Sequence, residues 1–174
     1  MTKLITGEAV REFSFHEELR KIIRGRVAID VIRVATGKVE DHIKTDNMVV
    51  TQGLQHMIRL LAGSSVSDRY LSRMQFGAGD TAPALTDTTL ETAYGSPIKN
   101  TSTAYVSGSA AATWTAYLQS ADLNGFTIRE AGLLCKGSSF SEGSTALFAR
   151  ATFATLTKSA DFQFAFNWTI TIAP

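Results

Sequence analysis

The sequence predicts a mainly β protein: an antiparallel β-sandwich with an N-terminal helical arm and one further short helix. The strongest observation is the stretch before the last residues, where apolar and polar side chains alternate. The apolar positions are Phe162, Phe164, Phe166, Trp168, Ile170 and Ile172. A period of two, rich in aromatic and β-branched residues, is typical of a strand with one buried face. That face needs a second layer to cover it, which predicts a sandwich.

The first element is a helix in an N-terminal arm, residues 1–24. Ser14 and Glu17 have the spacing of a capping box, and Gly25 stands where a left-handed C-terminal cap occurs. These signals predict a helix from about Phe15 to Arg24. Its apolar stripe includes Phe15, Leu19 and Ile22. The stripe suits a groove on a neighbouring subunit and, equally, the helix's own sandwich.

The second segment, residues 25–174, is predicted to be the sandwich domain. It opens with a hairpin, because Val27, Ile29 and Val31 alternate before a turn containing Gly37, and a weaker alternation follows from Val39 to Lys44. Apolar residues at helical spacing then predict the second helix, from about Gln52 to Ala62.

The remaining strands are separated by turn residues, a spacing that predicts antiparallel pairing. They run from about Tyr70 to Gly77, Ala111 to Ser120, Phe126 to Cys135, Thr145 to Thr155 and Asp161 to Ile172. Thr81 to Ser102 reads as a long connection. Gly132 breaks the alternation of its strand and is predicted to mark a β-bulge.

Composition narrows the function classes. The chain has 174 residues, 19% charged and 44% hydrophobic, with a net charge of +1. This balance argues against nucleic-acid and anionic-membrane partners. No apolar run approaches the roughly 18 residues that span a bilayer, and the first residues lack a signal-peptide pattern. The single cysteine, Cys135, fits a reducing compartment, so we expect synthesis in a cytoplasm.

Candidate metal ligands and nucleophiles have stronger structural interpretations. The histidines His16, His42 and His56 are spread over three predicted elements without ligand spacing, so no metal site is predicted. Cys135 follows two leucines in a strand and is expected to be a core residue rather than a catalytic thiolate. We predict no cofactor.

Two further motifs invite a chemical interpretation. Gly77-Ala78-Gly79 begins like a phosphate-binding loop but lacks the helix and third glycine, and therefore predicts a turn. Glu130 and Arg150 lie on neighbouring predicted strands and favour a cross-strand ion pair over half of a catalytic carboxylate pair. No nucleophile, base and oxyanion donor occur together, so we do not expect an enzyme.

Three aromatic residues are the candidates for binding sugar rings: Trp114, Tyr105 and Tyr117. Aromatic rings stack on sugars in lectins, although aromatics in sheets more often belong to cores and interfaces. They define an alternative function, a module that binds host glycans or another receptor.

The order of several short motifs resembles a class of tailed-bacteriophage virion proteins, from about Arg26 to the end of the chain. The motifs are Thr36-Gly37-Lys38, Asn47-Met48-Val49-Val50, Phe76-Gly77-Ala78-Gly79-Asp80-Thr81-Ala82-Pro83 with Asp87 and Leu90, Ile128-Arg129-Glu130-Ala131-Gly132-Leu133, Leu147-Phe148-Ala149-Arg150 with Phe153 and Lys158, and Trp168-Thr169-Ile170. The resemblance implies a tail-fibre, collar, neck or baseplate component, with no catalytic residues to carry over.

This resemblance makes a virion structural protein the first hypothesis for the chain. It implies a homo-oligomer with trimer- or hexamer-type symmetry that docks with other virion proteins after synthesis in the bacterial cytoplasm. The chain lacks the long repetitive shaft of a receptor-binding fibre, so an adaptor or small appendage fits better. A third hypothesis, a glycan-cleaving enzyme, would use Glu130 and a loop aspartate.

Overall fold

The computed structural model describes residues 22–61, 70–136 and 145–172, which form nine strands and one helix. The strands are β1 (Ile23–Arg33), β2 (Val39–Val49), β3 (Leu71–Gly77), β4 (Lys99–Asn100), β5 (Ser102–Tyr105), β6 (Ala111–Leu118), β7 (Thr127–Lys136), β8 (Thr145–Thr157) and β9 (Phe162–Ile172). Helix α1 spans Thr51–Leu61. No helix within these ranges is long and apolar enough to cross a membrane.

All described strand pairs are antiparallel, and the strands follow one continuous order: β4-β3-β7-β8-β2-β1-β9-β6-β5. The two ends of this sheet approach each other, because only Thr101 separates β4, which pairs with β3, from β5, which pairs with β6. The indole N–H of Trp114 on β6 also donates to the carbonyl of Leu71 on β3, at 3.0 Å. The sheet is therefore nearly closed.

The prediction of a mainly β, antiparallel protein with a short helix is confirmed. Two separate sheets are not seen, since β2 pairs with β1 along its length and with β8 at Met48 and Val49. The sheet instead curls so that its halves share one core, in which the rings of Phe76 and Phe166 lie 4.7 Å apart.

Strand β9 provides much of that core, as its alternation predicts. The inward side chains Phe164, Phe166, Trp168 and Ile170 are buried. Asn167 and Thr169 lie on the opposite face, where each bonds to a side chain of β6. The end of the strand is less covered, because Ile172 is among the exposed hydrophobic residues.

The predicted first hairpin is confirmed, with a turn closed by Gly37. Its φ of 67° lies in the left-handed region, and its N–H donates to the carbonyl of Arg33 at 2.8 Å. Strand β2 continues past the predicted end at Lys44, because its last residues pair with β8. Strand β1 begins at Ile23, before the predicted end of the arm at Arg24, since Ile23 and Arg24 pair with β9. Residues 1–21 of the predicted arm lie outside the described residues.

Helix α1 agrees with its predicted span to within one residue at each end. Its start is tied to the long connection, because the N–H of Thr51 donates to the carbonyl of Leu85 at 2.9 Å. Its side chain Leu54 joins the core.

The predicted bulge at Gly132 is wrong. Gly132 pairs in register with Arg150, and the register between β7 and β8 shifts on either side, between Ile128 and Glu130 and between Leu133 and Leu134. A Cβ at Gly132 would lie 2.8 Å from a methyl carbon of Leu147. Close packing, rather than a bulge, accounts for the glycine.

Candidate functional site

A buried ion pair lies at the centre of the first candidate site. Glu130 on β7 and Arg150 on β8 are both buried, and the Arg150 Nε donates to Glu130 Oε2 at 2.8 Å. Because Arg150 pairs with Gly132, two residues along β7 from Glu130, the two side chains share one face of the sheet. The predicted cross-strand ion pair is confirmed.

The Glu130 carboxylate also organises the backbone of the preceding connection. Its Oε1 accepts from the N–H groups of Gly79 and Thr92, at 3.0 and 2.8 Å, and its Oε2 accepts from the N–H of Glu91, at 3.1 Å. With Arg150, these donors satisfy a carboxylate that has no access to water. We call residues 78–92, which the carboxylate holds against the sheet, the clamped connection.

Two glycines make this close approach possible. A Cβ at Gly77 would lie 2.4 Å from Glu130 Oε1, and one at Gly79 would lie 2.7 Å from the same atom. The predicted turn at Gly77-Ala78-Gly79 is wrong. Gly77 ends β3 and forms a bridge to Ala93, and the N–H of Ala78 donates to the carbonyl of Thr92 at 2.9 Å, so the segment stays extended. Its glycines instead admit the carboxylate of Glu130 to the backbone.

Arg150 extends the network to two further carboxylates. Its Nη1 donates to Asp87 at 3.0 Å and its Nη2 to Glu91 at 3.1 Å. Burial alone lowers the pKa of the guanidinium, but the hydrogen bonds to Asp87 and Glu130 and the charges of both carboxylates outweigh it, so the pKa lies above its usual value. Arg150 is therefore a cation that donates hydrogen bonds to three carboxyl groups.

Glu91 forms the exposed end of the network. Hydrogen bonds from the Thr81 hydroxyl, at 2.8 Å, and from the Thr81 N–H, at 2.9 Å, hold the pKa of its carboxyl below the usual value, and Arg150 adds to this effect. The arrangement ties the clamped connection to itself and to β8. Every carboxylate in it is engaged by donors, which gives Glu130 a structural role.

Three of the six motifs that carry the virion-protein resemblance meet at this network. Gly77, Gly79 and Asp87 belong to one motif, and Glu130 and Arg150 come from two others. Leu90 packs beside it in a small apolar cluster with Val50, Leu134 and Leu147. The sequence alone indicated the ion pair, but not the backbone donors or the role of Asp87.

Lys158, another motif residue, directly follows β8 and is buried. Its Nζ donates to the carbonyl of Ser159 at 2.6 Å and lies 5.7 Å from the centre of the Phe164 ring. Burial lowers the pKa of its ammonium group, and Asp122 partly opposes this.

The three predicted sugar-binding aromatics do not form one site. Trp114 faces the core, where it packs and donates its N–H to Leu71. Tyr117, three residues later on β6, faces outward and is 42% exposed. Tyr105 pairs with Ala112 and therefore lies on the same face as Trp114, at the margin of the sheet. Three-residue spacing on a strand had already implied opposite faces for Trp114 and Tyr117.

A polar row crosses the outer face of the sheet beside Tyr117. The Thr115 hydroxyl donates to Asn167 at 2.9 Å, Asn167 donates to Asp30 at 3.4 Å, and Asp30 bonds to His42. The next rung joins the hydroxyls of Thr113 and Thr169 at 2.8 Å. An open groove of about 750 Å³ adjoins this row. Its lining includes Arg24, Arg26, Asn167, Thr169 and Thr171.

The second candidate site is an edge hairpin, defined here as β5, β6 and their turn. All four residues of β5 are exposed, Tyr105 is 65% exposed, and Val106 in the turn is 71% exposed. Residues 100–121, which include the hairpin, contain no charged residue and no proline. The absence of charge can be read from the sequence, but only the structure shows that the uncharged strand β5 lies at a sheet edge.

The remaining predicted site residues are those of the arm, the cysteine and the histidines. Phe15 and Leu19 lie outside the described residues, and Ile22 is 39% exposed. Cys135 is a buried core residue, as predicted, and burial raises the pKa of its thiol to about 12. Among the residues that the structure describes, no three His, Cys, Asp or Glu side chains cluster as a metal site would require.

Comparison with protein-family models, with curated proteins and with solved structures finds no match to this chain.

Proposed function

We propose that this chain is a virion structural protein of a tailed bacteriophage, an oligomeric adaptor or appendage of the tail, baseplate, neck or collar that acts by protein–protein docking. One observation carries the proposal: three of the six motifs of the resemblance converge on the Glu130–Arg150 network. Motifs far apart in sequence that build one buried feature support a resemblance in the fold itself rather than in isolated short matches.

The surface supports docking as the mode of action. A rigid network fixes the clamped connection, and the edge hairpin exposes Tyr105 and Val106 on an uncharged segment. We propose that the two halves of the sheet act as the layers of the predicted sandwich. We also propose that residues 1–22, which precede β1, form an arm that binds a neighbouring subunit through Phe15, Leu19 and Ile22. The partners are further copies of this chain and other virion proteins, without nucleic acid or membrane.

Labelling of virus particles tests this function. An antibody raised against the chain should decorate one position on particles of the phage that encodes it, in immunogold electron microscopy, and peptides of the chain should occur in purified virions. The matched control is a particle preparation from a phage that lacks the gene. A chain abundant in infected cells but missing from purified particles would contradict the proposal.

A second candidate function is binding of host glycan, and the outer polar row favours it. Tyr117 offers an aromatic ring two residues along β6 from Thr115, whose hydroxyl donates to Asn167, and Asn167 lines the open groove. Trp114 has no part in this version, because its ring packs in the core. Tyr117→Ala should abolish retention on immobilised host polysaccharide, while Tyr105→Ala should not. Equal retention of wild type and Tyr117→Ala would rule out this site.

A further inference from the structure

The edge hairpin presents a strand edge that the described residues leave open. Strand β5 pairs with β6 on one side, and no described strand pairs with it on the other. The open side of an edge strand carries backbone N–H and C=O groups that another strand can pair with. All four residues of β5 are exposed, so such a strand has access.

A second edge in the same molecule gives a contrast. Between Val39 and Asn47, β2 pairs only with β1 among the described strands. Its residues there include Glu40, Asp41, Lys44 and Asp46. The side chain of Thr45 on this edge contacts β8, because its hydroxyl donates to the Thr152 carbonyl at 3.0 Å. Charged side chains are a common protection against edge pairing. The edge hairpin has no such protection.

The apolar side chains of the hairpin also lack cover. Tyr105 and Val106 are the most exposed large hydrophobic residues of the described chain. They lie where β5 ends and the turn to β6 begins. Aromatic residues are enriched, and charged residues depleted, in the centres of protein interfaces. The hairpin therefore combines open backbone groups, exposed apolar area and the absence of charge.

We infer that β5 pairs antiparallel with β5 of a second copy of this chain, across a two-fold axis. A two-fold contact places a surface against itself, so any charge near the axis faces its own copy and is repelled. A strand edge without charge is complementary to itself, and pairing would cover Tyr105 and Val106. This inference rests on the proposed function and names the partner that the edge hairpin binds.

Light scattering across a dilution series tests the inference with the full-length chain. Ala104→Lys places a charge in the middle of β5, and Ala160→Lys makes the same change in the turn between β8 and β9, about 30 Å away along β9. We expect Ala104→Lys to weaken self-association at least ten-fold and Ala160→Lys to leave it unchanged. Thermal unfolding of both variants establishes that they fold.

Cross-linking provides a second measurement of the same contact. The buried Cys135 does not compete, so Ala104→Cys offers one accessible thiol, and two copies paired through β5 hold these thiols within about 10 Å. A short bismaleimide should produce covalent dimers of Ala104→Cys but not of Ala160→Cys.

Two results would overturn the inference: a wild-type chain that is monomeric at every concentration, or an oligomer that Ala104→Lys does not weaken. In either case the virion proposal is judged separately, by the labelling of particles. If the chain is found on particles but its self-association does not depend on β5, the virion proposal stands and the edge contact is refuted.

Discussion

At the scale of single residues, the most informative feature is a cation buried among carboxylates. Arg150 is one of few buried charged residues in the described chain, and it contacts Glu130, Asp87 and Glu91. A buried ion pair contributes little net stability compared with apolar residues of similar volume, but removing one partner leaves an uncompensated charge. A substitution that removes one member of the network should therefore destabilise the fold.

Replacing Arg150 should therefore lower the stability of the fold. Arg150→Leu leaves Glu130 buried without its cation and is expected to lower the free energy of unfolding by about 3–5 kcal/mol. The matched control is Arg26→Leu, since Arg26 pairs with Asp46 at 3.3 Å on the exposed surface and should contribute at most about 1 kcal/mol. Urea unfolding measures both. Similar losses for the two variants would refute the special role of Arg150.

The approach of Glu130 to the backbone leads to a prediction about glycines. Gly77→Ala forces a Cβ against Glu130 Oε1 and the Thr92 carbonyl, 2.4 and 2.5 Å away, and should destabilise the fold by about 1–3 kcal/mol. Gly95 lies in the long connection that follows β3, and a Cβ there meets nothing within 4 Å. Gly95→Ala should leave the midpoint of denaturant unfolding nearly unchanged. A larger effect at Gly95 than at Gly77 would contradict this packing.

The clamped connection should also respond to acid through Glu91. Its pKa lies below the ordinary value of 4.5, so the folded state binds the proton more weakly than the unfolded state. The resulting stabilisation is present above pH 4.5 and is lost as the pH falls through the folded-state pKa. Between pH 6 and 3, the melting temperature of Glu91→Gln should therefore fall less than that of wild type. Parallel curves would show that Glu91 does not contribute.

At the scale of elements, alternation and turn residues predicted most strands correctly because those signals are local. Strand β9 has a strict period of two, and α1 has apolar residues at helical spacing, so each reveals its buried face directly. The bulge at Gly132 was wrong because Leu147 and Leu90, both distant in sequence, explain the glycine.

The candidate sites were less predictable than the elements. Glu130 and Arg150 could be paired because they lie on consecutive strands. The donors from Gly79, Glu91 and Thr92 come from an irregular connection, whose path no periodic pattern specifies. The open edge of β5 follows from strand order, which also depends on contacts between distant segments.

The predicted arm is an element whose contribution can be measured by deletion. If Phe15 and Leu19 bind a neighbouring subunit, light scattering should find fewer copies per particle for a chain lacking residues 1–21 than for the full-length protein at the same molar concentration. Strand β1 remains complete in this variant, because it begins at Ile23. An unchanged number of copies, with an unchanged melting temperature, would show that other surfaces hold the assembly together.

At the scale of the whole molecule, one core serves both halves of the sheet, so loss of either half should expose the same residues. Cys135 belongs to that core, and burial raises its thiol pKa to about 12. Its reaction with a thiol reagent at pH 8 should therefore be slow in the folded protein and rapid in denaturant. The reaction rate should follow the population that opens globally. Rapid labelling under native conditions would mean that this part of the core opens by itself.

The pairing of the first and last described strands affects how the protein is made. Strand β9 lies between β1 and β6 and pairs with β1 from Ile23–Ile172 to Arg33–Phe162. Among the described strands, a ribosome synthesises β1 first and β9 last, so during translation β1 and β6 have no strand to join them. Their apolar faces cannot be covered by β9 until β9 leaves the exit tunnel. We therefore expect this half of the sheet to form only after translation has passed Ile172.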